Sequence, residues 1–146
     1  MLGIKIEYLG GYGAILRDLF QDIPWENYDW YSSSDEIIEG DKNLYLPSHL
    51  TSAHFSKLLG KDDYLVVFSK LEGMKKGAKY VDIKTYNQFL KSECEVIILI
   101  TDSIDIDIYA KEEMLLKKFL DNARKIGDKV LPLTIESDIR TEMKAF

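Results

Sequence analysis

The chain has 146 residues, of which 46% are hydrophobic and 30% are charged, and its formal net charge is −6. This length suits a single domain, residues 1–146, that buries its own core. The longest apolar run, residues 96–100, is too short to span a membrane, and the single cysteine forms no internal disulfide. The pI of about 5.0 disfavours nucleic-acid binding. We therefore expect a cytoplasmic bacterial protein with no membrane segment, no cofactor and no resident metal.

The chain opens with a predicted strand and helix. Apolar residues alternate with small or polar ones over residues 2–8, which predicts a half-buried strand. A glycine-rich turn follows at 10–13, and apolar residues at helical spacing then predict a helix that ends near residue 21. Residues 28–38 are rich in aromatic residues and serine, a composition that predicts an exposed strand or hairpin arm.

The same patterns predict the remaining elements. In chain order these are a short strand at 44–46, a helix from 48 capped by Ser48 and ended by Gly60, a strand at 64–68, a basic loop at 73–79, a short strand at 80–83, a helix at 85–90, a strand at 95–101, a turn at 102–103, a strand at 104–108, a helix at 111–126, a strand at 130–135 and a last helix capped by Ser137 or Asp138. Residues 95–101 are apolar on both faces and belong inside the sheet, whereas alternating Ile and Asp at 104–108 predict burial on one face only. We predict an α+β fold, a single domain with a mixed β-sheet packed against about four helices.

A glycine run and an aspartate cluster could form a small-ligand or divalent-metal site. Backbone N–H groups in the turn Gly10–Gly13 could bind phosphate. Asp102, Asp105 and Asp107 offer the oxygen ligands that Mg²⁺ and Ca²⁺ prefer. The glycine spacing matches neither GxGxxG nor a P-loop, so a tight turn and a charged strand surface are the simpler interpretations.

The histidines and the cysteine show no catalytic spacing. His49 and His54 are five residues apart, which would place them about 140° apart on a helix, and neither HExxH nor GxSxG is present. Cys94 lies between two glutamates, whose charges raise a thiol pKa, so we predict a packed and unreactive cysteine. We therefore expect no catalytic residues and a protein that is not an enzyme.

The negative charge is concentrated in the first half of the chain. Residues 1–73 contain six Lys or Arg and twelve Asp or Glu, a balance of −6, whereas residues 74–146 contain thirteen of each. Residues 18–41 contain no Lys or Arg. The acidic residues of that segment are Asp18, Asp22, Glu26, Asp29, Asp35, Glu36, Glu39 and Asp41.

Aromatic side chains lie among these acids, and the combination predicts a partner-binding surface. The candidate residues are Trp25, Glu26, Tyr28, Asp29, Trp30 and Tyr31. An acidic surface with aromatic anchors is typical of one that captures a basic protein partner. A solvated acidic face around core aromatics is the alternative, and the sequence leaves open whether Trp25 and Trp30 are exposed.

Lysines cluster further along the chain. They are Lys70, Lys75, Lys76, Lys79 and Lys84, with Gly73 and Gly77 among them. Such a cluster could meet phosphates, RNA or an acidic partner. A solvated loop is the favoured interpretation.

Several short motifs together resemble one protein family. They are Gly3-Ile4, Tyr12-Gly13, Trp30, Thr85-Tyr86, Phe89-Leu90, Ser92-Glu93-Cys94-Glu95, Asp102-Ser103, Ile108-Tyr109-Ala110-Lys111 and Arg140-Thr141. The chain resembles, over nearly its whole length, a family of small uncharacterised proteins of unknown function from spore-forming Gram-positive bacteria. The resemblance implies a cytoplasmic single-domain bacterial protein and no catalytic residues.

Three hypotheses for function remain. The first is a non-enzymatic, inhibitor- or immunity-like protein that uses the acidic aromatic segment against a basic protein partner. The second is a small-ligand or metal-binding domain or enzyme with a site near Gly10–Gly13 and Asp102, Asp105 and Asp107. The third is a self-associating structural protein, in which an exposed strand at 28–38 pairs with its copy in a homodimer.

Overall fold

The computed structural model describes residues 1–134 and 142–145. Its elements, in chain order, are β1 (Gly3–Glu7), α1 (Ile15–Leu19), β2 (Tyr28–Glu39), β3 (Lys42–Leu44), β4 (His49–Leu50), α2 (Ser52–Leu59), β5 (Leu65–Lys75), α3 (Tyr86–Lys91), β6 (Cys94–Thr101), β7 (Asp105–Ala110), α4 (Glu113–Ile126) and β8 (Lys129–Leu133). None of the helices in these ranges has the length and apolarity needed to cross a membrane. The predicted helix capped by Ser137 or Asp138 lies outside the described residues.

The strands form one sheet in the order β3-β2-β5-β6-β7-β1-β8, and β4 pairs with β2 on the same side as β3. The α+β prediction is confirmed. The strand pairs within the described residues are all antiparallel, so the sheet is not mixed as predicted. The predicted turn after β6 is one cause, because Asp102 and Ser103 adopt left-handed φ values of 53° and 63°. Such a turn reverses the chain directly into the neighbouring strand.

The larger core lies between one face of the sheet and helices α1, α2 and α4. The helix predicted at 111–126 is confirmed as α4, and its Leu115, Leu116, Phe119 and Ala123 are all buried. Across from them lie β-strand residues at alternating positions, such as Ile106 and Ile108 of β7, whose side chains point to the same face. Burial of these side chains is the main driving force that closes the helices onto the sheet.

A smaller core covers the opposite face of the sheet and corrects one prediction. There Phe89 of α3, Ile83 and Met143 pack against Tyr109 and the other sheet residues of that face. Strand β7 is therefore covered on both faces, and Asp107 is only 3% exposed. The predicted one-sided burial was wrong because the face that carries Asp107 meets a second packed layer, although Asp105, at the start of the strand, is only partly buried.

Strand β2 is interior, which corrects the predicted exposed arm. It pairs with β5 along most of its length and with β3 and β4 on its other side. Its partner β5 is longer than the strand predicted at 64–68. It continues to Lys75, so residues 73–75 of the expected basic loop belong to the strand. The homodimer hypothesis requires residues 28–38 to pair with a second copy of the chain. A second copy could do so only by displacing these neighbouring strands.

Two local predictions are also corrected. Helix α2 is capped by Thr51 and not by Ser48, because Thr51 accepts the backbone N–H of His54 through its hydroxyl, at 3.2 Å. Gly60 ends that helix as predicted. Residues 80–83 were predicted as a strand. They instead run as an irregular segment over the smaller core, with Ile83 fully buried.

Candidate functional sites

The structure divides the acidic aromatic segment between core and surface. Trp30 is 1% exposed, its ring stacks on Phe55 at 5.0 Å, and its Nε1–H donates to the carbonyl of Trp25 at 2.9 Å. Trp30 contributes to the wall of the cleft described below, but it is a core residue, and the sequence had left its exposure open. The sequence could not show this, because an aromatic residue at one strand position serves equally well in a core or at an interface.

The remaining aromatic residues border a small surface cleft. Trp25 and Tyr28 are half-buried and line a cleft of about 150 Å³ together with Asp29, Phe55 and Lys76. Trp25 stacks on Phe55 at 5.0 Å, which fixes the orientation of the indole ring. We call this feature the Trp25 cleft.

Charges of both signs surround the Trp25 cleft. Glu26, next to Trp25 in the chain, is exposed. Asp29 accepts the backbone N–H of Gly77 at 2.9 Å and lies 3.5 Å from the Nζ of Lys76. These contacts, the Gly77 hydrogen bond foremost, lower the pKa of Asp29, so the carboxylate is ionised at neutral pH. Residues 18–41 contain no Lys or Arg of their own, but the fold brings Lys76 next to Asp29.

Tyr31 lies on the opposite face of the sheet from Trp30, as alternation along a strand requires. Its ring is stacked between His49, at 4.7 Å, and Tyr80, at 4.5 Å. The Trp25 cleft brings together Trp25, Tyr28, Asp29 and Trp30, with Glu26 next to Trp25 in the chain. Tyr31 does not line the cleft, although its stacking partner His49 does.

A buried ion pair lies on β5, in the lysine cluster that the sequence indicated as a solvated loop. Lys70 and Glu72 have side chains that are 5% and 1% exposed, with Nζ and Oε1 3.3 Å apart. Lys70 also donates to Asp82 Oδ1 at 2.8 Å and to the carbonyl of Ile83. Residues two apart on a strand share a face, and this spacing of Lys70 and Glu72 was the signal that sequence reasoning missed.

Glu72 is held in an unusual environment. It accepts the backbone N–H of Ile83 at 3.2 Å, while its Oε2 is buried without a hydrogen-bond partner among the described residues. Burial raises the pKa of Glu72 to about 7, although the neighbouring Lys70 opposes the shift. Together, Lys70 and Glu72 bind both backbone polar groups of Ile83 and fasten residues 80–83 to the sheet.

Lys70 forms part of the wall of a second, larger cavity of about 590 Å³. The other lining residues come from β2, from the segment after β5 and from the C-terminal end; they are Ser33, Ser34, Asp82, Lys84, Thr85, Glu142, Met143 and Lys144. We call this feature the Lys70 cavity. Its volume lies within the range of small-molecule binding sites.

The glycine run and the aspartates lie at the same end of the sheet but build no metal site. Tyr8, which precedes the run, donates its N–H to the carbonyl of Ile104 at 2.8 Å, and Gly13 pairs with Tyr64. The described part of the chain contains no group of three His, Cys, Asp or Glu residues that could hold a metal ion. Asp107 is buried 3.7 Å from Lys5, whereas Asp102 is exposed in the turn.

The histidines and the cysteine have structural positions. His49 lies on β4 and His54 on α2, where Nδ1 of His54 accepts the N–H of Thr51 and completes a capping box. Cys94 is fully buried, as predicted. Burial is the main cause that raises its pKa to about 12, with Glu72 as the leading charge contribution. The thiol is therefore protonated at neutral pH.

Comparison with known proteins agrees with the resemblance found in the sequence. The chain is 28% identical to the "Uncharacterized protein YncE" of Bacillus subtilis (strain 168), a spore-former, over 148 residues that cover 97% of each chain. No solved structure is significantly similar to the chain. A family model described as "Protein of unknown function (DUF2691)" matches residues 1–144. The chain therefore belongs to the DUF2691 family of proteins of unknown function.

Proposed function

We propose that the protein is a non-enzymatic, cytoplasmic binding protein that captures a basic protein partner at the Trp25 cleft. The observation that carries the proposal is that Trp25 and Tyr28, both half-buried, border a cleft that also contains the ionised Asp29. A lysine or arginine side chain of the partner would lie over an aromatic ring and approach the carboxylate, two interactions that reinforce each other.

Charge beyond the cleft supports this choice of partner. The exposed Glu26 follows the cleft residue Trp25 directly in the chain, and the exposed Asp18 and Asp22 precede it. Surface carboxylates of this kind steer a positively charged partner during association. The cleft has room for one side chain. The partner would therefore insert a single basic residue, and the surrounding carboxylates would attract its other positive charges.

Two variants with the same charge change test the proposal. Glu26→Lys reverses a charge beside the cleft, whereas Glu36→Lys reverses an exposed charge near the other end of β2. A lysine-rich peptide is titrated into each protein, and tryptophan fluorescence, which includes that of Trp25 at the cleft and of Trp30 behind it, reports binding. We expect Glu26→Lys to weaken binding about tenfold or more and Glu36→Lys to leave it nearly unchanged.

The same two variants identify the natural partner. Proteins recovered from a cell lysate by the wild type and by Glu36→Lys, but not by Glu26→Lys, are the candidates. If the peptide leaves the tryptophan fluorescence unchanged, or if both variants bind it equally well, the cleft is not a site for basic partners and the proposal fails.

A further inference from the structure

The Lys70 cavity contains groups that the partner-binding function does not use. It opens on the face of the sheet that carries the smaller core, whereas Trp30 and Phe55 behind the Trp25 cleft belong to the larger core. Its lining contributes three lysine ammonium groups, of Lys70, Lys84 and Lys144, and the hydroxyl groups of two serines and one threonine. Ammonium and hydroxyl donors are the groups that bind carboxylate and phosphate oxygens in proteins.

Within the part of the chain that the structure describes, ion pairing leaves one of these three lysines without a carboxylate. Lys70 is paired with Asp82 at 2.8 Å, and Lys144 with Glu142 at 3.0 Å. Lys84 has no acidic partner among the described residues, although its backbone N–H is held by Gln88 at 2.9 Å. The backbone of Lys84 is thus fixed at the cavity wall, while no carboxylate of residues 1–134 or 142–145 is paired with its ammonium group.

Asp82 is much more exposed to solvent than the lysine with which it pairs. Its side chain is 50% exposed, whereas that of Lys70 is 5% exposed. A carboxylate that is half exposed can turn into water at little cost in free energy, because it regains hydration when it leaves the lysine. A ligand anion that entered the cavity could therefore replace Asp82 on a lysine that is already held in place by the carbonyl of Ile83 and by Glu72.

We propose that the Lys70 cavity binds a small anionic molecule, with its carboxylate or phosphate group bound by Lys84 and Lys70 in place of Asp82. The hydroxyl groups of Ser33, Ser34 and Thr85 line the same cavity and are available to the rest of the molecule. This site is separate from the Trp25 cleft, so either proposal can fail without the other.

Titrations with inorganic phosphate and with citrate, followed by amide NMR, test this site. Binding in the cavity shifts the amide signals of Ser33, Ser34 and Thr85, and the shifts saturate. We expect Lys84→Gln to weaken binding about five- to tenfold, because one charged donor is lost. Asp82→Asn is expected to tighten binding several-fold, because it removes the competing carboxylate. Lys79→Gln is the matched control, since Lys79 is an exposed lysine on the same segment that does not line the cavity.

Tighter binding by Asp82→Asn and weaker binding by Lys84→Gln, with Lys79→Gln unchanged, would establish the site. The proposal is overturned if neither anion shifts these amides at about 10 mM, a concentration that detects even weak complexes. It is also overturned if Lys84→Gln and Lys79→Gln bind equally, because the anion would then respond only to overall charge.

Discussion

The indole ring of Trp30 lies against the backbone of Gly73, its direct partner on β5. A Cβ atom at position 73 would lie 2.9 Å from Cη2 of Trp30, closer than real Cβ contacts come. The glycine therefore gives the ring its place in the larger core. This close contact is one reason that Trp30 is a core residue with 1% of its surface exposed.

We expect Gly73→Ala to lower the free energy of unfolding by about 1–3 kcal/mol, because the added methyl group must displace the Trp30 ring or the strand. Gly60→Ala is the matched control, since a Cβ there meets only ordinary contacts at 3.5 Å and the residue has ordinary right-handed backbone angles. Urea unfolding of both variants measures the difference. Equal stability of the two variants would contradict the tight contact.

Acrylamide quenching distinguishes the two tryptophans. Trp30 is 1% exposed, whereas Trp25 is half-buried at the cleft. We expect Trp30→Phe, which retains Trp25, to give the more strongly quenched emission, and Trp25→Phe to give blue-shifted emission with weak quenching. Circular dichroism confirms that each variant is folded. Strong quenching of the protein that retains Trp30 alone would show that the ring leaves the core.

Glu72 makes stability depend on pH with a defined sign. Its pKa is raised from 4.5 to about 7 in the folded protein, so the folded state binds the proton more tightly than the unfolded state. The free energy of unfolding should therefore fall as pH rises from about 5 to 7, by an amount on the order of 3 kcal/mol from this group.

Glu72→Gln isolates that contribution. Glutamine resembles the protonated acid, so the variant should lose less stability than the wild type between pH 5 and 8. Urea unfolding at several pH values measures both slopes. Asp35, whose pKa is also raised by burial, contributes equally to both proteins and cancels in the difference. Parallel slopes would mean that Glu72 titrates normally.

Asn122 joins helix α4 to the end of α1. Its Nδ2 donates to the carbonyl of Leu19 at 2.8 Å and to that of Gln21 at 2.7 Å, and the residue is 6% exposed. We expect Asn122→Ala to destabilise the protein by about 1–3 kcal/mol, since two carbonyl groups lose their donor. Thermal unfolding compares it with Asp121→Ala, an exposed neighbour on the same helix, which should change stability little. Similar losses in both variants would rule out this role.

The sequence by itself determined the elements whose patterns are local. The apolar period of α4 and the continuous apolar run of β6 were predicted correctly, because side-chain periodicity follows directly from backbone geometry. The family was also evident from motifs spread along the chain, and the matched family model confirms it. The burial of Cys94 was predicted too, although burial raises the pKa of its thiol more than the acidic neighbours do.

Only the tertiary structure decided which polar and aromatic residues face water. The alternation that buries Asp107 is the same in a one-layer or a two-layer protein. The second layer over that face is built by α3, residues 80–83 and Met143, which are separate from β7 in the chain, whereas Trp30 is buried in the larger core on the other face. Lys70 was expected in a solvated loop because the sequence does not show that β5 continues past it. Whether a strand residue is buried depends on which segment packs against its face of the sheet. That segment can be distant in the chain, so the local sequence pattern does not identify it.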